Sequence, residues 1–222
     1  MAIDYTKYVT RNLLAQIAVH EGFYARASGD RSGTQIGFGY NRGAETRSQA
    51  SGVLGTNITS KALIDHNQAI SLTAHKIGQK IESFIVPHIG LDKFDKLSPN
   101  MQSAVLDTLY NLTDRSAVKF AKKISDYITS DRIAGIPAYI ANAYTMPGTD
   151  YHTGLSRRRQ DAFRLAILPE GQTFVPGNGR VTNHTTGETI ALNDIFTGPA
   201  ITNGIALASA GPTAKSQPRM IT

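Results

Sequence analysis

His20-Glu21-Gly22, then Ser28-Gly29-Asp30, then Thr34-Gln35-Ile36-Gly37-Phe38-Gly39-Tyr40: within this stretch the chain changes from a helical period to an extended one. Upstream, Leu13, Leu14, Ile17 and Ala18 recur at helical spacing, so residues 5–20 read as a helix that runs out near Glu21-Gly22. Downstream, residues 27–43 carry Gly29, Gly33, Gly37, Gly39 and Gly43 among Ser28, Asp30, Ser32 and Asn41, which cannot sustain a helix. They read as short strands and turns, a small β-hairpin region. Strand alternation places Gln35, Gly37 and Gly39 on one face and Thr34, Ile36 and Phe38 on the other.

Working outward, the helical period returns from about Thr59 to Pro87. Thr59 or Ser60 is the expected N-cap, and Pro87 the expected stop. Ser98 as N-cap and Pro99 at the first helical position open another helix to about Leu112. Further helices fit 116–129, 131–144 and 155–168. The fold class is therefore α+β, mostly α. After Pro169 the composition turns to Gly, Pro, Thr and Asn with few charges. A hairpin is expected over 172–195, turning at Gly177-Asn178-Gly179, followed by an extended arm. The division expected is 1–168 as one domain, with its β-rich lobe at about 27–58, and 169–222 as a non-helical C-terminal extension that can be removed without harm to the body.

Composition narrows the chemistry. There is no cysteine, which excludes disulfides, thiolate catalysis and cysteine-based zinc sites. The six histidines show no metal-binding spacing, so neither a metal nor another cofactor is expected. No run is long enough for a membrane helix, and the N-terminus lacks the features of a secretory signal. Residues 1–169 hold 20 of the 23 bases and 14 of the 17 acids, so the whole net charge of +6 lies there. A basic body suits an anionic polymer. Nucleic acid is not the expected one, because no recognition motif or aromatic platform accompanies the charge.

The opening stretch resembles that of the phage T4-type lysozyme family, glycoside hydrolase family 24. There a Glu-Gly ends the first helix, an Asp follows nine positions on, and a strand of the form Thr-Ile-Gly-x-Gly-His comes next. Glu21 and Asp30 stand nine apart here, and Ile36-Gly37-Phe38-Gly39 matches the strand. Asn57-Ile58-Thr59-Ser60, Ser98-Pro99 through Leu109-Tyr110-Asn111, and Gly154-Leu155-Ser156-Arg157-Arg158-Arg159 resemble later family segments in the same order. The resemblance covers roughly residues 5–168 and implies a lysozyme-like fold with a β-hairpin lobe and a helical lobe.

It also implies a muramidase, cleaving the β-1,4 bond between N-acetylmuramic acid and N-acetylglucosamine in peptidoglycan. Such cleavage needs an acid at the leaving oxygen and a second carboxylate that steers water or stabilises the oxocarbenium ion. Glu21, between an apolar helix and the β-region, suits the acid, and Asp30, in a polar turn, the partner in an inverting reaction. Gln35 stands where the family has its water-holding Thr. Either Gln35 takes that place or a one-residue bulge restores Thr34 to it. Tyr40 stands where the family has His. Asn41, Tyr110, Asn111 and Arg158 are the expected substrate-binding residues, with Arg158 either meeting the glycan or pairing with Glu21. The expected partner is the peptidoglycan glycan strand, with other virion or tail proteins as candidates for residues 169–222. The expected location is a phage virion or the host cytoplasm before release, with action in the periplasm. The competing expectation is a virion or tail structural protein whose lysozyme-like domain is weakly active or inactive.

Overall fold

A computed structural model describes residues 4–30, 33–41, 43–197 and 201–202; of residues 29, 30, 33 and 43 it describes the backbone alone. The expected C-terminal arm lies outside the described residues. After a short 3-10 turn at Thr6–Tyr8, helix α1 spans Arg11–Glu21. Thr10 caps it, its side chain accepting from the Leu13 N–H at 3.1 Å. Leu13, Leu14, Ile17 and Ala18 are fully buried, so the apolar stripe read from sequence is the packed face. The helix ends at Gly22, whose φ of 71° a glycine adopts without strain.

Three strands follow in the order β1–β2–β3: β1 Tyr24–Asp30, β2 Gly33–Gly37 and β3 Tyr40–Asn41, all antiparallel. Ile36 and Tyr40 face each other across β2–β3 and are fully buried, as is Phe38; the alternation expected through Gly39 stops at Gly37, where β2 ends and Phe38-Gly39 turns the chain into β3. The expected β-rich lobe also contains a helix, α2 at Thr46–Leu54. Thr46 and Ala50, one turn apart, are its buried anchors, and Gly55 ends it in the left-handed region. Its Ser and Gly content weakens the helical signal.

Helix α3 spans His66–Lys80 and starts later than expected. Asp65, not Thr59 or Ser60, is the N-cap: it accepts from the Gln68 N–H at 2.8 Å, while Gln68 Oε1 accepts from the Asp65 N–H at 3.0 Å. Pro87 does not stop the run. Ile81–Ile85 is π-helical, and α4 (Val86–His88) restarts there, so Pro87 sits in a first turn where its missing N–H costs nothing. After α5 (Leu91–Phe94) comes α6 (Pro99–Tyr110), capped as expected by Ser98. Helices α7 (Asp114–Thr129), α8 (Ile136–Asn142) and α9 (His152–Ala166) complete the helical body.

The packing does not break at residue 168. Phe174, Val181, Leu192, Ile195 and Phe196 are buried in the same hydrophobic cluster as α1 and the sheet. The expected hairpin exists but turns elsewhere: β4 (Arg180–Thr182) pairs with β5 (Thr189–Ala191), and a short helix, α10 (Leu192–Ile195), follows, so the segment is not the non-helical extension expected: Leu192 and Ile195, three apart, are buried on one helical face. Gly177-Asn178-Gly179 precedes the hairpin instead of turning it. This segment straps the junction of α1 and β1. The Phe23 N–H donates to the Thr182 carbonyl, and the His184 N–H to the Phe23 carbonyl, both at 2.8 Å. The His184 ring stacks on Tyr24 and occupies the space where a side chain on Gly22 would lie. Among the described residues no helix is long and apolar enough to cross a membrane.

Candidate functional site

Glu21 ends α1 at the edge of the sheet. Its carboxylate accepts from Arg158 Nη1, on α9. Arg158 is itself fixed by Asp107 on α6: Nη2 donates to Oδ1 at 2.7 Å, and Nε reaches Oδ1 at 3.1 Å and Oδ2 at 3.3 Å. Gln16, fully buried on α1, donates to Asp107 Oδ2 and to the Arg158 carbonyl, each at 3.2 Å. Three helices thus meet through one guanidinium between two carboxylates. Asp107 has no exposed side-chain surface and Arg158 4%, whereas Glu21 keeps 20% and is the member that faces outward.

The electrostatics follow from that burial. For Asp107, desolvation would raise the pKa, but the Arg158 charge and its hydrogen bonds outweigh it, and the carboxyl lies below its usual range. Burial opposes the charge on Arg158 as well, yet Asp107 and Glu21 together hold the guanidinium more firmly protonated than usual. Arg159, next in sequence, is pulled down to about 10, burial being the main cause. It donates to the Ala143 carbonyl at 3.0 Å and to Asn111 Oδ1 at 3.3 Å.

On the sheet side, Glu21 presses on Gly39. A Cβ there would lie 2.6 Å from Glu21 Oε2, and φ is 71°, so both space and backbone require glycine. The Phe38-Gly39 turn is fixed from behind. The Tyr110 hydroxyl donates to the Phe38 carbonyl at 2.8 Å, and Lys76 Nζ donates to the Gly39 carbonyl at 3.0 Å. Lys76 also sits 3.7 Å from the Tyr110 ring centroid, a cation–π geometry. Beyond Tyr110 and Lys76 opens a cleft of about 520 Å³, also lined by Asn41, Gln79, Lys80 and Phe84. Glu21 is not among its lining residues; the Gly39 turn links the two.

The sequence-derived residues fare differently. Glu21 and Arg158 come together, and Arg158 pairs with the carboxylate instead of presenting its guanidinium to solvent. Tyr110 is 3% exposed with its hydroxyl on the Phe38 carbonyl, so it holds the turn and forms a cleft wall. Burial pushes its phenol well up, with the Glu21 charge next in effect. Asn41, the partner of Gln35 across β2–β3, lines the cleft. Asn111 is exposed beyond the end of α6 and accepts from Arg159. Asp30 ends β1, its backbone paired with Gly33; its side chain lies outside the described residues. The bulge that would restore Thr34 is absent from β2. The irregularity lies in β1 between Tyr24 and Ser28, while Gln35 pairs with Ser28 and Thr34 with Gly29 in regular register. Gln35 therefore keeps the strand position two before Gly37, and the Thr34 carbonyl accepts from Thr46 at 3.0 Å.

Asp107 and Lys76 are the members that sequence reasoning missed. Asp107 had a signal: a lone acid among Val105, Leu106 and Leu109 on an apolar helix is bound to need a buried cation. Among the described residues no group of His, Cys, Asp or Glu is placed to hold a metal. No family model matches the chain, and no curated protein matches it.

Proposed function

We propose that the protein is a peptidoglycan hydrolase of the muramidase type, with a lysozyme-like arrangement of β-hairpin lobe and helical body, and Glu21 as its acid. The observation that carries this reading is the setting of Glu21. One carboxylate, partly exposed, is held by a buried Asp107–Arg158 pair against a glycine turn whose carbonyls bond Tyr110 and Lys76, two residues that line the neighbouring cleft. Asp107 fixes the Arg158 fork through three contacts, so the guanidinium meets Glu21 in a set position. In this reading Glu21 gives a proton to the leaving oxygen while Asp30 and Gln35, on the hairpin, take the water-steering roles.

A second reading, a virion or tail structural protein with a weakly active or inactive lysozyme-like domain, is favoured by one observation. Gln35 keeps the strand position where the resemblance expects Thr, with no bulge in β2 to restore Thr34. Turbidity loss of chloroform-treated Gram-negative cells separates the two. Activity in the wild type and its loss in Glu21→Gln is the expected result. Equal activity in both proteins removes Glu21 as the acid, and no activity in either favours the structural reading.

A further inference from the structure

Helix α7 packs one side and charges the other. Ala117, Phe120, Ala121, Ile124 and Ile128 are its buried stripe. At 3.6 residues per turn, Arg115, Lys119 and Lys122 fall on the opposite side and Lys123 on its flank, and all four are exposed. They cover about 12 Å of helix. The array widens at the C-terminal end. Lys123 Nζ and Arg132 Cζ stand 5.5 Å and 5.4 Å from the centroid of the Tyr127 ring, so one aromatic ring keeps two like charges side by side. Lys93, on α5, joins from the neighbouring helix by donating to Thr129 Oγ1 at 3.2 Å. Among the described residues none of these six cations forms an ion pair, and the side chains of Arg115, Lys119 and Lys122 make no hydrogen bond. The acids on the same segments, Asp92, Asp126 and Asp131, are exposed and likewise outside any ion pair among the described residues. Asp114, at the start of α7, is turned to Lys80 at 3.8 Å. Positive charge is therefore in excess across the whole outer face.

The shape of this array decides what it fits. A helix flank is convex and offers no walls to a single polymer strand. The cations spread to both sides of the helix axis, Lys123 and Arg132 on one flank and Lys93 on the other, so they meet a plane of phosphates at more points than a line of them. None of the large apolar side chains of α7 is exposed, so the face has nothing to insert into hydrocarbon. Clustered Lys and Arg on an amphipathic helix are attracted to an anionic leaflet, at roughly fivefold in affinity per cation. We infer that the outer face of α7 docks the protein on an anionic phospholipid surface, with the helix lying flat against the headgroup phosphates. The contact is peripheral and electrostatic, and it persists only at low ionic strength. It involves no residue of the Glu21 site and does not depend on the hydrolase reading.

The test is vesicle co-sedimentation of the full chain at low salt, with vesicles of phosphatidylcholine alone and of phosphatidylcholine mixed with phosphatidylglycerol. The expected result is binding to the mixed vesicles, none to the neutral ones, and release when salt is raised to about 0.5 M. The triple variant Lys119→Gln, Lys122→Gln, Lys123→Gln, checked for native circular dichroism, should bind at least tenfold more weakly, and the same three changed to Arg should bind like wild type. A control of equal net charge removes three exposed cations elsewhere: Arg47→Gln, Lys61→Gln and Arg180→Gln. It should lose less than about twofold, because charges beyond a Debye length of the surface contribute little. No binding to the mixed vesicles, equal binding to neutral ones, an unchanged affinity in the α7 variant, or an equal loss in the control overturns the docking face. Soluble polyphosphate retained by the protein while the mixed vesicles are not would assign the face to a phosphate polymer and overturn the membrane. Lysis plays no part in the readout, so a catalytically inert wild type that still binds would sink the hydrolase reading alone.

Discussion

Replacing Asp107 with Asn tests whether the buried pair is what aims Glu21. The change is nearly isosteric, so packing is preserved and the effect is electrostatic. The amide keeps one oxygen but turns an N–H₂ group toward donors that already converge there from Arg158 and Gln16. The buried guanidinium is left with Glu21 as its one carboxylate partner among the described residues. Removing one member of a buried ion pair costs about 3–5 kcal/mol. For a chain of this size that is roughly 2–4 °C per kcal/mol, a fall in Tm of roughly 6–20 °C. Urea unfolding followed by circular dichroism gives the free energy directly. The loss should also depend on pH with a definite sign. The Asp107 carboxyl lies below its unfolded value, near 3.8, so its contribution is complete above that value and fades as pH falls through the lower folded one. The gap between wild type and Asp107→Asn should therefore be widest at neutral pH and close in strong acid. A loss below about 1 kcal/mol, or a gap that does not narrow on acidification, would refute the idea that Asp107 holds Arg158 in place.

Gly39→Ala forces a Cβ into the Glu21 carboxylate and an unfavourable φ; it should cost about 1–2 kcal/mol and move Glu21, lowering lysis more than stability. Tyr110→Phe leaves the buried Phe38 carbonyl without its donor and should cost about 1–3 kcal/mol by urea titration. Deleting residues 170–222 exposes the sites of Phe174, Val181, Leu192, Ile195 and Phe196. At about 1.5–3 kcal/mol each, that removes roughly 8–15 kcal/mol, comparable to the whole stability of a domain. The truncated chain should therefore not fold; a cooperative thermal transition in it would show that the strap is dispensable.

The parts legible in the sequence are those where one local rule acts alone. Ser98-Pro99 and the Leu13–Ala18 stripe gave boundaries and faces that the structure keeps, because capping and helical period decide them without outside help. Helix α2 escaped notice because its Ser, Gly and Thr content reads as loop, and only burial of Thr46 and Ala50 against the body makes it a helix. The start of α3 was misplaced because Thr59 and Ser60 are good caps by type, while Asp65 with Gln68 forms the reciprocal pair that prevails. At the site, Glu21 was visible from its place at a helix end before a glycine strand. Its partners were harder: Arg158 lies 137 residues away and Asp107 lies 51 from Arg158. Contacts at that separation leave only an indirect trace, such as an acid on an apolar stripe. The C-terminal strap was read as an appendage because Gly, Pro, Thr and Asn signal loop, yet five apolar side chains in it suffice to dock it.

The hydrolase and structural readings also part company over what Glu21 does for stability. Burying charge is costly, and an ion triad with two carboxylates and one guanidinium carries a net negative charge in a poorly hydrated place. Removing the Glu21 charge by Glu21→Gln leaves the Asp107–Arg158 pair neutral and intact, and the amide oxygen can still accept from Nη1. If Glu21 is present for chemistry, the change should alter stability by less than about 1 kcal/mol in either direction, as is usual where function and stability oppose each other. If Glu21 is present to tie α1 to α9, the loss should approach that of Asp107→Asn. Urea titration of the two variants side by side decides it: a Glu21→Gln penalty above about 3 kcal/mol would make the triad a structural clasp, since breaking buried pairs costs that much. A near-neutral change accompanied by loss of lysis would leave chemistry as the reason for placing a partly exposed carboxylate on that arginine.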